Sequence, residues 1–512
     1  MNGWEQFCIE YLTTDSIDMD EVGQAAKNGF EKFEVYPDSI QLVDGSCFFI
    51  ARHNGKKALI IYGESHSSEG FRYRESIFLG KRARICELNI ENAKVLRNIF
   101  SFTKPVSHED KNITFGLGDR LGIASPGHIK LLKGLPVFPV LAQQSMRELT
   151  LTGRSYADVL ADVSWAVFQE GYTSGFGADG DHLKSADDIR TALESGYTMI
   201  TLDCSDYINN SASEMPEVEL RKAYSKLAEA DRKRLESKYL NKEFTLTSDM
   251  RIKFSEETLM RIAVIYLEAS KFAIDIYKNI IETYRETLDF EISIDETQIA
   301  TSPEAHYFVA EEILSGGARI TSLAPRFPGE FQKGIDYKGD ISLFNQEFKR
   351  HVNISEHFGY RISVHSGSDK FLVFPIIGAE TGGKFHIKTS GTNWLEAVRL
   401  IAMKDPALYR GIHKEAVRYF AEAKKFYHVT AELSNVPNVD ILTDTELLGL
   451  LDMEDARQLL HITYGYILKE KNPDGSLKYK DKIYAALNRY EGDFYDVLRK
   501  HIGKHMRSLG VK

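Results

Sequence analysis

Asp181 and His182 stand side by side in GFGADGDHLK, and His365 sits in SVHSGSDK. Two imidazoles with carboxylates nearby form a mixed nitrogen and oxygen donor set, which suits Zn, Mn, Ni or Co better than Ca or Mg. No cysteine accompanies them, which disfavours a structural zinc site. Other β-rich runs also end in groups able to move protons or hold anions. These include Asp119 and Arg120, Gln143, Gln144 and Ser145, Asp203 and Asp206, Glu291, Asp295 and Glu296, Arg326 and Glu330, and His386 and Lys388. Each is weak alone. An aspartate at a strand end is often a helix cap, and His306, His351 and His357 lie in helical runs and read as structural. Convergence is what counts: on a closed parallel barrel, all strand ends face one mouth.

The elements that would bring these residues together are legible. Eight short β-rich runs begin near Asn112, Phe138, Ser174, Tyr197, Asp289, Ala318, Arg361 and Lys384. Most are separated by amphipathic stretches, the pattern of βα units. SYADVLADVSWAVFQ places Tyr156, Val159, Leu160, Val163 and Val167 on one helical face. Ser185 and Ser302 precede further helical runs as N-caps. The expected fold is α/β, a (β/α)8 barrel over residues 111–400, with a doubly wound open sheet as runner-up. A helical insertion is expected at about 207–288, a small α/β region over 1–110, and a helical extension over 401–512. GLGDRLG matches no nucleotide-binding fingerprint and reads as a tight strand-to-helix turn, although Arg120 with its backbone N–H groups could hold a carboxylate. Phe168, Tyr172 and Phe176 read as packing, and Cys204, in an acidic stretch, as an unreactive thiol.

Composition narrows the function classes. Of 512 residues, 43% are hydrophobic and 27% charged, with a formal net charge of −10. A mildly acidic chain argues against non-specific nucleic-acid binding, but a local cationic cluster could still hold a small anion. Four cysteines without a CxxC pair suggest a reducing compartment. No apolar run approaches a membrane span, and MNGWEQFCIEYLTTDS lacks a basic signal-peptide start, so a cytoplasmic location is expected. The expected partner is a small molecule, not a nucleic acid or a membrane. A homo-oligomer is allowed but not dictated.

The long motifs GLGDRLGIASPGH, LAQQSMRELTLTGRSYADVLADVSWAVFQEGY, GFGADGDHLK, ISIDETQIATSP, PGEFQKGIDYKGD, SVHSGSDK and FHIKTSGTNWLEAV resemble the tagaturonate epimerase family from about Ile113 to Ala397. The resemblance implies a metal-dependent interconversion of two sugar acids, D-tagaturonate and D-fructuronate. It matches Asp181 to a proton acceptor, Glu291 to a proton donor, and His182 and His365 to metal ligands. A third ligand is expected from PGEFQKG, at Glu330 with Gln332 as competitor. Arg120, Gln144 and Lys388 are candidate substrate contacts, and Arg120, Lys388 or Arg326 could clamp a carboxylate. The two sugar acids differ at carbon 3, which is β to the ketone. Simple proton abstraction there is chemically poor, so a retro-aldol route is expected. Another metal-dependent keto-sugar isomerase or aldolase, or a non-catalytic sugar-acid binder, are the alternatives.

Overall fold

The computed structural model describes residues 34–511 apart from 54, 64, 65, 79 and 80. The opening segment read above for a signal peptide therefore lies outside the described residues. The chain first builds an antiparallel sheet from β1 (Glu34–Val35), β2 (Gln41–Val43), β3 (Ser46–His53), β4 (Lys56–Tyr62), β5 (Tyr73–Phe78) and β6 (Lys81–Glu87), in the order β1-β3-β4-β6-β5 with β2 also on β3. The sheet's inner side chains (Phe48, Ile50, Leu59, Ile61) and the helix Ile90–Ile99 pack on Trp165 and Phe168 of a barrel helix. Arg52 and Lys57 also pair with Glu491 of a C-terminal helix. The expected small α/β region is thus a sheet docked on the catalytic body.

The eight expected strands all form: β7 (Ile113–Leu117), β8 (Phe138–Ser145), β9 (Gly177–Leu183), β10 (Met199–Asp203) and, after a short hairpin of β11 (Glu243–Thr245) and β12 (Arg251–Lys253), β13 (Asp289–Ile294), β14 (Ser322–Pro325), β15 (Arg361–Val364) and β16 (Phe385–Thr389). β16 pairs in parallel with β7, which closes the ring and excludes the open sheet. The segment 207–288 is helical as expected, through Glu217–Ser225, Glu229–Tyr239 and the crossover helix Glu256–Asn279, but also carries the β11–β12 hairpin. Ser155, Ser185 and Ser302 each accept a hydrogen bond from a first-turn backbone N–H, as N-caps. GLGDRLG is a strand-to-helix turn in which Asp119 accepts from the backbone of Leu121 and Ala124. Helices Pro406–Ala423, Glu454–Lys469, Lys480–Arg489 and Glu491–Ser508 form the extension, with a core of their own around Trp394, Tyr409 and Leu460. No helix among the described residues is long and apolar enough to cross a membrane.

His306 and His351 share a 2.9 Å contact in the core, and Tyr360 closes the group at 2.8 Å, as expected of structural histidines. Burial drives the His351 ring down to about 3 and that of His413, in the extension, to about 4. Both stay neutral in the fold while the unfolded chain protonates near 6.5. The unfolded state then binds more protons, so stability is intact above pH 6.5 and is lost as pH falls toward 4. At 1.36 kcal/mol per unit, each costs about 3 kcal/mol by pH 4. Thermal melts from pH 7 to 4.5 should show a steep fall in Tm, shallower in His413→Gln. Parallel slopes in the two proteins would refute the assignment to His413.

Candidate active site

Lys388 is the centre of the barrel mouth. It sits on β16 with its side chain inward, and its ammonium lies 2.8 Å from Asp179, 2.8 Å from Asp181 and 2.9 Å from Glu291. Thr201 donates to Asp179 at 3.0 Å, and Ser322 donates to Glu291 at 2.5 Å. Three buried carboxylates around one cation are tolerated because every one is paired. Burial raises Asp179 to about 6 despite Lys388. Burial likewise opposes charge on Asp181 and Glu291. There, however, Lys388 and the neighbouring histidines prevail and hold both well below the usual carboxylate range.

Two imidazoles extend this cluster. His182 Nδ1 lies 2.7 Å from Asp181 and His365 Nε2 lies 2.8 Å from Glu291. Their other nitrogens turn to a single atom, Asp295 Oδ1, at 3.9 Å from His182 Nε2 and 3.0 Å from His365 Nδ1. Burial works against a charged His365 ring, but Asp295 and Glu291 raise it to about 10. His182 is raised too, against burial, by Asp181.

Backbone irregularity makes the cluster. Neighbouring residues on a regular strand face opposite sides, yet Asp181 and His182 both reach the mouth. The β9 register shifts beyond Gly180, and His182 holds a left-handed φ of 54°. Ser366, just after His365, is also left-handed, at 51°. Such strain gathers at functional sites. Glu291, Ser293 and Asp295 share the inward face of their strand, and Ser293 donates to Asp295 at 2.5 Å.

His182, Asp295 and His365 offer ligand atoms within 4.8 Å of one another, a group able to hold a metal ion. Each histidine also carries a carboxylate on its second nitrogen, the arrangement that fixes ring orientation and tautomer in metal sites. The donor chemistry therefore fits the divalent cation expected from the sequence. A second group, Asp369, His501 and His505, lies deeper, against the C-terminal helix. Both His505 nitrogens are taken there: Nε2 accepts from the Asp369 backbone at 3.1 Å, and Nδ1 faces the His501 carbonyl at 3.0 Å. That group ties a loop to a helix.

The other expected residues fall in different places. Glu330 lies on the outer rim, 3.7 Å from Arg326 and 3.4 Å from His428, and is not in the His182–Asp295–His365 group. The Gln332 side-chain oxygen accepts from Thr430 and Gln458. Arg120 is buried on Glu148 at 3.0 Å and stacked on the Tyr464 ring at 3.8 Å. Gln143, not Gln144, lines the cavity of about 320 Å³ in the mouth. Gln143 crosses above Gly116, where a Cβ would lie 1.8 Å from its amide oxygen, so any side chain at this position would push Gln143 aside. Cys204 is buried, and its thiol is pushed well up by burial and Asp203.

A parallel barrel whose mouth gathers paired carboxylates, a buried lysine and a His–Asp–His group is an enzyme of the acid–base, metal-capable (β/α)8 class. Comparison with known proteins narrows this. The chain belongs to the tagaturonate epimerase family (UxaE), whose profile matches residues 36–509, and it is therefore an isomerase-class enzyme. It is 42% identical over 483 residues to a tagaturonate/fructuronate epimerase of Thermotoga maritima, covering 93% of this chain and 97% of that one. It also superposes on crystal structures of the fructuronate–tagaturonate epimerase of Cohnella laeviribosi. The native form matches with TM-score 0.92 and 47% identity over 94% of this chain and 97% of that one. A one-glycerol complex matches with TM-score 0.91 and 48% identity over 93% and 96%.

Proposed function

We propose that this chain interconverts D-tagaturonate and D-fructuronate in hexuronate catabolism, with a divalent cation held by His182, Asp295 and His365. The observation that carries the cation is the paired arrangement of the two histidines, each backed by a carboxylate and each turned to Asp295. Zn, Mn, Ni and Co suit this donor set. When bound, such an ion supplies Lewis-acid stabilisation of negative charge developing on substrate oxygen.

The chain's own residues supply the proton traffic. Asp181, held as a carboxylate, takes the proton from the carbon-3 hydroxyl. The carbon 3–carbon 4 bond breaks, its electron pair passing to carbon 4 and the ketone as an enediolate and leaving a three-carbon aldehyde that carries the carboxylate. The aldehyde turns over, the enediolate re-forms the bond on its other face, and a proton returns to the carbon-3 oxygen. Glu291, 2.9 Å from the same Lys388 ammonium that Asp181 contacts, relays that proton. The base acts on oxygen, so the carbon-bound hydrogens stay in place.

The test is incubation with D-tagaturonate, following D-fructuronate with a coupled reductase, before and after chelation and re-addition of metal. Metal-restored product is expected. No product with any divalent ion would refute the substrate reading, and full activity after exhaustive chelation would refute the cation. In deuterated water the product should carry no deuterium at carbon 3; label at that carbon would rule out the retro-aldol route.

A further inference from the structure

We infer that the carboxylate of the sugar acid is held by the Lys333 ammonium and the Ser366 hydroxyl, with Arg147 facing the same space. This rests on the reading that the substrate is a sugar acid, and it names the group that makes the site prefer an acid to a neutral sugar.

Most cations of the mouth are already paired. Lys388 is committed to three carboxylates. Arg120 is spent on Glu148 and on the ring of Tyr464. Lys184 pairs with Asp206 at 2.6 Å. Lys333 differs from all of these. Its Nζ contacts the Ser366 hydroxyl at 2.9 Å, and among the described residues no carboxylate lies within 4.0 Å of it. Arg147 likewise has no carboxylate partner among the described residues and lies 4.7 Å from the Tyr427 ring centre. Both cations line the mouth cavity and a second cavity that opens beside it. Burial lowers Lys333, and the nearby Arg147 lowers it further. An ammonium so placed gains from an incoming anion.

The anchor is also built firmly. Lys333 lies in the turn after β14, and Ser366 in the turn after β15. Lys370 donates to the carbonyls of Gln332 at 2.9 Å and Ile335 at 2.6 Å, on either side of Lys333, and to its own turn at Ser368. Arg457 donates to the Gly334 carbonyl at 2.7 Å and pairs with Asp369 at 2.5 Å, joining the two turns from outside. Anion-binding groups held by such contacts lose little freedom on binding. Position fits as well. Ser366 follows His365 directly, and carbon 3 of the substrate is only two bonds from the carboxylate carbon. An anchor here sets carbon 3 beside the acid–base residues.

The test compares Lys333→Met and Lys333→Arg with the parent protein. Binding of D-gluconate, a hexonate, and of sorbitol, its neutral counterpart, is measured by calorimetry, alongside KM and kcat for D-tagaturonate. Loss of a charge-assisted contact predicts roughly 10- to 100-fold weaker gluconate binding in Lys333→Met, with a fall in kcat/KM at least as large and sorbitol unchanged. Lys333→Arg should recover most of the loss. Equal weakening of gluconate and sorbitol, or no change in either, overturns the proposal, as does a parent protein that does not bind gluconate. A parent that binds gluconate but does not turn over D-tagaturonate refutes the substrate reading and leaves the anchor standing on the binding data. If Lys333→Met does not fold, Ser366→Ala serves instead. It should weaken gluconate about three- to tenfold, and sorbitol not at all.

Discussion

Asp295→Ala should strip the protein of its cation and lower kcat/KM by about 10³-fold or more. Asp295 Oδ1 is the one atom both histidines face, at 3.9 and 3.0 Å, and Asp295 is the one anionic member of the trio. Removing it leaves two imidazoles as ligands, too few for a tightly held divalent ion. Lewis-acid stabilisation is worth several kcal/mol, and each 1.36 kcal/mol is tenfold in rate. Stability should change less, because Asp295 is partly exposed and His365 keeps its contact with Glu291. Glu330→Ala is the companion experiment. Its carboxylate is on the rim with Arg326 and His428, so the variant should keep its metal and lose at most a few-fold in rate. Elemental analysis after gel filtration, with steady-state kinetics, decides between them. Metal retained in Asp295→Ala and lost in Glu330→Ala would make Glu330 the third ligand.

Lys388→Met should damage the fold as well as the rate. Three carboxylates, none more than 2.9 Å from the ammonium, would be left crowded in a buried space without the charge they share, and among the described residues Asp179 has no histidine of its own as Asp181 and Glu291 do. Removing one partner of a buried ion pair typically costs 3–5 kcal/mol, and here one residue serves three partners. Proton uptake by Asp179, already raised to about 6, would relieve part of the repulsion. The variant should therefore melt several degrees below the parent at pH 8 and recover part of that loss at pH 6, where Asp179 can protonate. Turnover should be lost at both. A variant that melts with the parent at pH 8 would show that the cluster tolerates its own charge.

The barrel was legible because it is written in repeating units. Each strand is a short β-rich run, and several helices begin at a capping serine such as Ser155, Ser185 or Ser302. Alternation also puts Glu291 and Asp295 on one face, which is the signal that brings Asp295 into the mouth. The resemblance directed attention instead to PGEFQKG, a loop with no periodicity to say where Glu330 would point. Gln144 shows how a bulge redirects a strand. Carried forward from Phe138 and Val140, alternation turns Gln144 inward, but the register shifts between Val140 and Ala142 and Gln143 takes its place. A bulge of this kind reverses every later side chain and leaves no mark in composition. The left-handed turn at His182 is equally silent. Lys333 gives no signal either, because nothing in a sequence tells an unpaired lysine from a paired one.

The bonds from the C-terminal helices to the two anchoring turns set an order of events in the making of this protein. A ring of strands can close once residue 389 has joined 117, but Arg457 and His501, which fix the turns at Gly334 and Asp369, come much later in the chain. At ~5–20 residues per second, translation takes on the order of ten seconds to cover that interval. Throughout it, a nascent barrel would stand with its strands joined and its binding mouth unfinished. The patch around Trp394 and Leu400 would still be without the helices that cover it. That is the interval in which the nascent chain would be most open to chaperone capture or aggregation. Ribosome-stalled chains ending near residue 430 should bind a trigger-type chaperone more strongly than chains long enough to expose residue 505.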